Sequence, residues 1–126
     1  MRPTLQEIDL KVFESLVAQA LEGIPEPFSG YLEGVVVQVE EQAAAETREA
    51  LGLTRGEELL GLYTGRPVGE GSFFSTEGGL PPRIILYRRP ILRGCRNIRQ
   101  IIRRIRETVV HEVGHHFGLS DTEMPY

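Results

Sequence analysis

The feature that most constrains this chain is one amphipathic run near its end, Asn97 to Asp121, which carries a long apolar stripe and all three histidines. Ile98, Ile101, Ile102, Ile105, Val109 and Val113 recur at spacings of three and four, the period of an α-helix with one buried face. Asn97 supplies an N-cap, with Gln100 at the reciprocal position of a capping box. Gly118 falls where the helix must stop, because glycine takes a left-handed turn without a Cβ clash. At about 100° per residue, His111 and His115 share one face, well off the centre of the isoleucine stripe. The pattern predicts a helix that buries its isoleucines against a sheet and turns two imidazoles toward a cleft.

Those two imidazoles, one turn apart, can grip one metal ion. Glu112 sits beside the first of them, where its carboxylate can reach a water held there and act as general base. A chain reversed at Gly118 swings Asp121 back as a third ligand. Two neutral imidazoles and a carboxylate suit one Zn²⁺ and leave a fourth tetrahedral position for water. Glu123 lies near enough in sequence to replace or supplement Asp121, although the spacing favours Asp121. His116 returns to the core-facing side and is expected to pack or to hydrogen-bond a ligand, not to be one. All three histidines fall within six residues, which counts against a merely solvated helix end.

Read as H-E-x-x-H-x-x-G-x-x-D, His111 to Asp121 resembles the motif of the zincin metallopeptidases, most closely its extended, metzincin-like form. Most metzincins carry histidine at the last position; Asp121 is similar to the small snapalysin-like group. Together with Leu60–Gly65 and Leu86–Leu92, the motif resembles a family of small bacterial zincin-type metallopeptidases, across roughly residues 5–124. The resemblance implies His111, His115 and Asp121 as zinc ligands, Glu112 as general base, and a peptide or protein substrate. A full metzincin continues past its third ligand into a lower subdomain with a methionine turn. Here five residues follow Asp121, and Met124 comes too soon to be assumed equivalent. That shortness keeps open an alternative: a metal- and peptide-binding module, weak or inactive alone, whose cleft a protein partner or oligomer completes.

Earlier in the chain, Thr4 and Glu7 form a capping box ahead of Leu5, Ile8, Val12, Leu16 and Ala20 at helical spacing, a stripe widened by Phe13, Val17 and Leu21. Gly23 ends this helix, which is expected to pack on a sheet. Valine-rich Tyr31–Glu40 reads as a mostly buried strand, Glu41–Leu51 as a short helix closed by Gly52, and Glu58–Tyr63 as a second strand. Arg66–Pro82 is a long loop in which Phe73 and Phe74 form either a lip over substrate or a plug beneath the loop.

Arg83–Arg89 reads as a third strand stopped by Pro90. The zincin resemblance implies an edge strand above the metal helix to which an extended peptide adds; if this is that strand, Ile85, Tyr87 and Arg88 contact substrate. Its flanking arginines would equally guard an edge against aggregation. Tyr87, Arg88 and Tyr126 are candidates by type for stabilising an oxyanion. The whole reads as an α+β chain, one minimal zincin-like domain over residues 1–126. A small mixed sheet of three to four strands packs with about three helices, and the active-site helix lies near the C-terminus.

Composition narrows the setting. No apolar run approaches the length needed to span a membrane, the N-terminus lacks a signal-peptide core, and lone Cys95 cannot form an intrachain disulfide. These point to the cytoplasm and to Cys95 as a small core residue. Net charge is −4, yet residues 83–126 carry nine arginines against four acids. That block could recognise an acidic ligand or nucleic acid, or its arginines could pair with N-terminal glutamates. Overall negative charge and the lack of any nucleic-acid motif argue against nucleic acid.

Overall fold

The computed structural model describes residues 8–65 and 81–125. Helix α1 spans Leu10–Glu22, α2 Phe28–Tyr31, strand β1 Val36–Glu40, α3 Ala45–Ala50, β2 Gly61–Thr64, β3 Arg83–Tyr87, α4 Arg88–Arg93 and α5 Ile98–His116. A short 3₁₀ turn, Asp121–Glu123, follows. The architecture is α+β, as the sequence pattern predicts, with five α-helices among the described residues where about three were expected; α2 and α4 are the short additions.

Strand order in the sheet is β1-β3-β2, with β3 parallel to β1 and antiparallel to β2. Successive side chains of a strand point to opposite faces, and β3 separates two clusters accordingly. Ile84 and Leu86 enter the main core, while Ile85 and Tyr87 join Ala43, Leu59 and Leu62 in a smaller one. Helix α5 lies on the main-core side, packed on β2 and β3, and α1 packs on α5. Phe13, Ile84, Leu86, Ile91, Ile101, Ile105, Val109, Val110 and Val113 are fully buried there. Each such side chain contributes on the order of 1.5–3 kcal/mol of apolar burial, so the helix carrying the histidines is also the one most firmly held.

Local chemistry explains the element ends. The Asp9 side chain accepts the Val12 N–H at 2.9 Å and caps α1, whereas the Thr4–Glu7 box lies outside the described residues. Asn97 accepts the Gln100 N–H at 2.9 Å, and Gln100 reaches back to the Arg96 N–H instead of the cap residue's own. The loop residues 66–80, with Phe73 and Phe74, also lie outside the described residues.

Four expectations are corrected. Strand β3 is central, not an edge, so both its backbone flanks are already paired and no peptide can add to it. Strand β1 is an edge with alternate residues exposed, and Tyr31 belongs to α2. Pro90 stops no strand; it sits in the first turn of α4, where a missing N–H costs no helical hydrogen bond. The α1 stripe packs chiefly on α5 and not on the sheet.

Several arginines do pair within the chain. Arg88 grips Glu41 through two bonds of 2.6 and 2.7 Å, Arg89 approaches the same carboxylate, and Arg93 pairs with Glu58. Arg106 donates to the Ala20 carbonyl at the end of α1. Cys95 is buried, its thiol turned to the Ile91 carbonyl. Among the described residues no helix is long and apolar enough to cross a membrane.

Candidate metal centre

The last turns of α5 present His111, Glu112 and His115, and the chain then reverses. Gly118 adopts φ +84°, and its N–H returns to the His115 carbonyl while Leu119 N–H returns to that of Gly114. This double bond around a left-handed glycine is a Schellman ending, and it points the chain back along the helix. Ser120 and Glu123 then close the 3₁₀ turn: Glu123 accepts both the backbone N–H and the hydroxyl of Ser120, at 3.1 and 2.9 Å.

That turn delivers Asp121 to the imidazoles. Its Oδ1 lies 2.8 Å from His115 Nε2 and 3.4 Å from His111 Nδ1. One donor atom from each of the three residues lies within 4.8 Å of the others. Donors about 2.0–2.1 Å from a tetrahedral zinc stand roughly 3.4 Å apart, so the set fits an ion with small adjustments. The His115 hydrogen bond, helped by the charges of both histidines, holds the Asp121 carboxyl below its usual range. Glu123, engaged with Ser120, is not part of the group.

Glu112 is fixed from across the fold. Its Oε1 accepts the Tyr63 backbone N–H of β2 at 2.9 Å. Burial pushes its carboxyl above the ordinary carboxylate value, against the Tyr63 N–H and the two histidines, which pull it down. A carboxylate so placed is a better proton acceptor than a free one. The Tyr63 ring meanwhile stacks on His116 with centroids 3.9 Å apart, which gives His116 its packing role.

Beneath the turn, Met124 is 8% exposed and packs onto Gly114 so closely that a Cβ there would stand 2.7 Å from its terminal methyl. The sequence pattern left Met124 without a role; here it pins the segment carrying Asp121 to the helix carrying both histidines.

A cleft of about 360 Å³ opens beside these groups, lined by Leu60, Gly61, Thr108, His111, Glu112 and His115, with Arg104 and Glu107 further along α5. Strand β2 forms its wall. Leu60 offers its carbonyl to Tyr87 on β3, so by alternation Gly61 and Tyr63 turn their backbone groups to the outer edge, as the Tyr63–Glu112 bond shows. Gly61 allows the wall to sit close, because a Cβ there would meet the Thr108 methyl at 2.7 Å.

The residues expected to line a peptide on β3 are elsewhere. Ile85 and Tyr87 are buried on the far face of the sheet, and Arg88 is held by Glu41 and the Ile8 carbonyl. Tyr126 lies outside the described residues. Sequence reasoning missed Tyr63, Gly61 and Arg104; a glycine opening a short strand was the one local signal of close approach.

The zincin-like metallopeptidase family matches residues 32–126. The chain is similar to a conserved hypothetical protein of solved structure from Thermus thermophilus. The two are 27% identical over 87% of this chain and 94% of that one, with a TM-score of 0.61. No curated protein matches.

Proposed function

The chain belongs to the zincin-like metallopeptidase family, and from that premise we propose that it is a zinc-dependent peptidase acting through His111, Glu112, His115 and Asp121. The reading rests on one observation above others: two imidazoles and a carboxylate converge beside a glutamate pinned to an edge strand.

In this reading His111, His115 and Asp121 hold one zinc ion. When bound, zinc supplies a Lewis acid that acidifies water and polarises a carbonyl. Glu112 takes the proton of the attacking water on its carboxylate and hands it to the departing amine. The Tyr63 N–H keeps one Glu112 oxygen occupied and so orients the other. An extended peptide lies along the outer edge of β2, where Gly61 offers its N–H and carbonyl and Tyr63 its carbonyl, in place of the β3 path. Tyr87 and Arg88, engaged elsewhere in the fold, take no part in stabilising the oxyanion.

A second reading keeps the metal and drops the turnover. His115 and Asp121 side chains are 50% and 72% exposed, and a site so open positions substrate poorly. A partner or second copy would then complete the cleft. Elemental analysis of protein purified without chelator, with hydrolysis of a diverse peptide library by wild type and Glu112→Ala, separates the readings. About one zinc per chain with Glu112-dependent cleavage supports the peptidase; zinc without cleavage supports the binding module; no zinc overturns both.

A further inference from the structure

Among the described residues Arg104 is the one arginine lining the cleft, and no partner explains its place. It lies two turns before His111 on the same side of α5, and it also lines a second cavity of about 370 Å³ with Arg96, Gln100 and Arg103. Its guanidinium lies over Gly94, where a Cβ would stand 2.4 Å from Nη1, so the approach depends on that glycine. Its Nε is buried without an acceptor, and among the described residues no carboxylate pairs with it. Arg88, Arg89 and Arg93 have glutamate partners and Arg106 a helix-end carbonyl. Glu107 borders both cavities but makes no ion pair among the described residues, and in the second cavity it is one acid against three arginines.

Nε is shielded from any incoming group, so a ligand would meet the outer Nη atoms, which have no partner among the described residues, and the planar fork of arginine matches a carboxylate. Resting on the peptidase reading of this cleft, we infer that Arg104 receives a carboxylate of the substrate, so that the site selects peptides with an acidic group to one side of the cleaved bond. Seven residues of helix place Arg104 roughly 10 Å from His111 along the axis. An extended peptide advances about 3.3 Å per residue, which sets the carboxylate about three residues away. Arg96 and Arg103 add positive potential beyond it.

The carboxylate can belong to an acidic side chain or to a free C-terminus, and binding tells these apart. Zinc-loaded Glu112→Ala protein, which cannot turn substrate over in this scheme, is titrated with alanine–valine decapeptides bearing an uncharged methoxycoumarin label. One is neutral and amidated, a second pair carries glutamate three residues to either side of the centre, and a third has a free C-terminus. At least one acidic peptide should bind tenfold or more tightly than the neutral one at low salt. Adding Arg104→Gln should remove that gain, measured against the neutral peptide in the same variant. Arg104→Lys, which keeps charge but not the fork, should retain only part of it and serves if the glutamine variant melts early. Equal affinity for all peptides overturns the assignment alone, as does a gain that survives in Arg104→Gln or persists undiminished in Arg104→Lys. Binding of none overturns the peptide-site reading, and the assignment with it.

Discussion

Glu112 on α5 and Tyr63 on β2 are joined by a 2.9 Å hydrogen bond from backbone N–H to carboxylate, across forty-nine residues of sequence. The bond ties the proposed general base to β2, the wall proposed to carry substrate. Glu112→Gln preserves the acceptor for Tyr63 and removes the proton shuttle. Hydrolysis should fall by about 10²–10⁴-fold, with zinc content and melting temperature near wild type. Steady-state kinetics beside elemental analysis checks this; a glutamine variant that still cleaves at the parent rate excludes Glu112 as the base.

The ligand set makes a separate forecast. His111→Ala, His115→Ala and Asp121→Ala should each lose zinc at stoichiometric loading, because each removes one of three donors that converge within 4.8 Å. Glu123→Ala removes the acceptor for Ser120 and should loosen the turn, weakening zinc modestly and leaving stoichiometry intact. Isothermal titration with zinc orders the four variants. Loss of zinc in Glu123→Ala with retention in Asp121→Ala would reverse the assignment of the third ligand.

Much of this centre was legible because it is local. The Asn97 cap, the isoleucine stripe, the two histidines and the Gly118 reversal all lie on one continuous stretch, and helical periodicity alone relates them. The sheet was not legible in that way, since strand order depends on pairings between distant segments. Ile84-Ile85-Leu86 is the unbroken apolar run of a strand covered on both faces, yet the zincin resemblance drew the reading toward an edge. Arg88 in fact opens α4 and clasps Glu41, forty-seven residues earlier. The valine-rich run looked buried, but among the described residues β1 pairs only with β3, and Val37 and Val39 turn to the main core while Val36 is exposed. Arg104 escaped notice for a similar reason: among the nine arginines of residues 83–126 nothing local distinguishes the one lining the cleft beside the histidines.

The Arg88–Glu41 pair predicts an acid-side change in stability. Its hydrogen bonds from Arg88 hold the folded Glu41 carboxyl below its ordinary value near 4.5. A depressed folded pKa means stability is present above the unfolded value and lost as pH falls through the folded one. Glu41→Gln should therefore cost on the order of 0.5–1 kcal/mol near neutral pH, the modest figure reflecting a half-exposed carboxylate. The difference from wild type should shrink below about pH 4.5. Arg88→Met should cost more, because Arg88 also satisfies the Ile8 carbonyl at 2.6 Å. Denaturant melts between pH 3 and 7 give both; a Glu41→Gln gap that widens in acid contradicts the linkage.

Gly61→Ala tests the closeness of wall and helix. The added methyl would meet the Thr108 methyl at 2.7 Å and the Ile85 carbonyl at 3.3 Å. The carbonyl belongs to the central strand and cannot swing away, so β2 itself must move. Overpacking of this kind costs about 1–3 kcal/mol. The displacement should also stretch the Tyr63–Glu112 bond, so hydrolysis should fall further than zinc affinity does. Gly61→Ala with Thr108→Ser, which removes the opposing methyl, should recover part of both. Absence of any recovery would mean that the Ile85 carbonyl alone sets the limit.

Met124 offers the sharpest test of how the third ligand is held. Its thioether fills the space left by Gly114, and the turn it anchors carries Asp121 three residues earlier. Two effects compete in Gly114→Ala. Alanine favours the helix by about 1 kcal/mol over glycine, but its methyl occupies the space of the methionine Sδ and Cε, which stand 2.8 and 2.7 Å from it. The end of a methionine is flexible and can swing aside, so the protein should keep its melting temperature or gain slightly while zinc affinity falls. Met124→Ala should instead lose about 2 kcal/mol, the low end for a buried methionine because the short turn around it can relax. It too should weaken zinc. The double variant separates the roles: if Met124 acts on zinc only by anchoring the turn, its effect and that of Gly114→Ala should not add. Additive losses in a zinc titration would mean that each residue reaches the metal group by its own route.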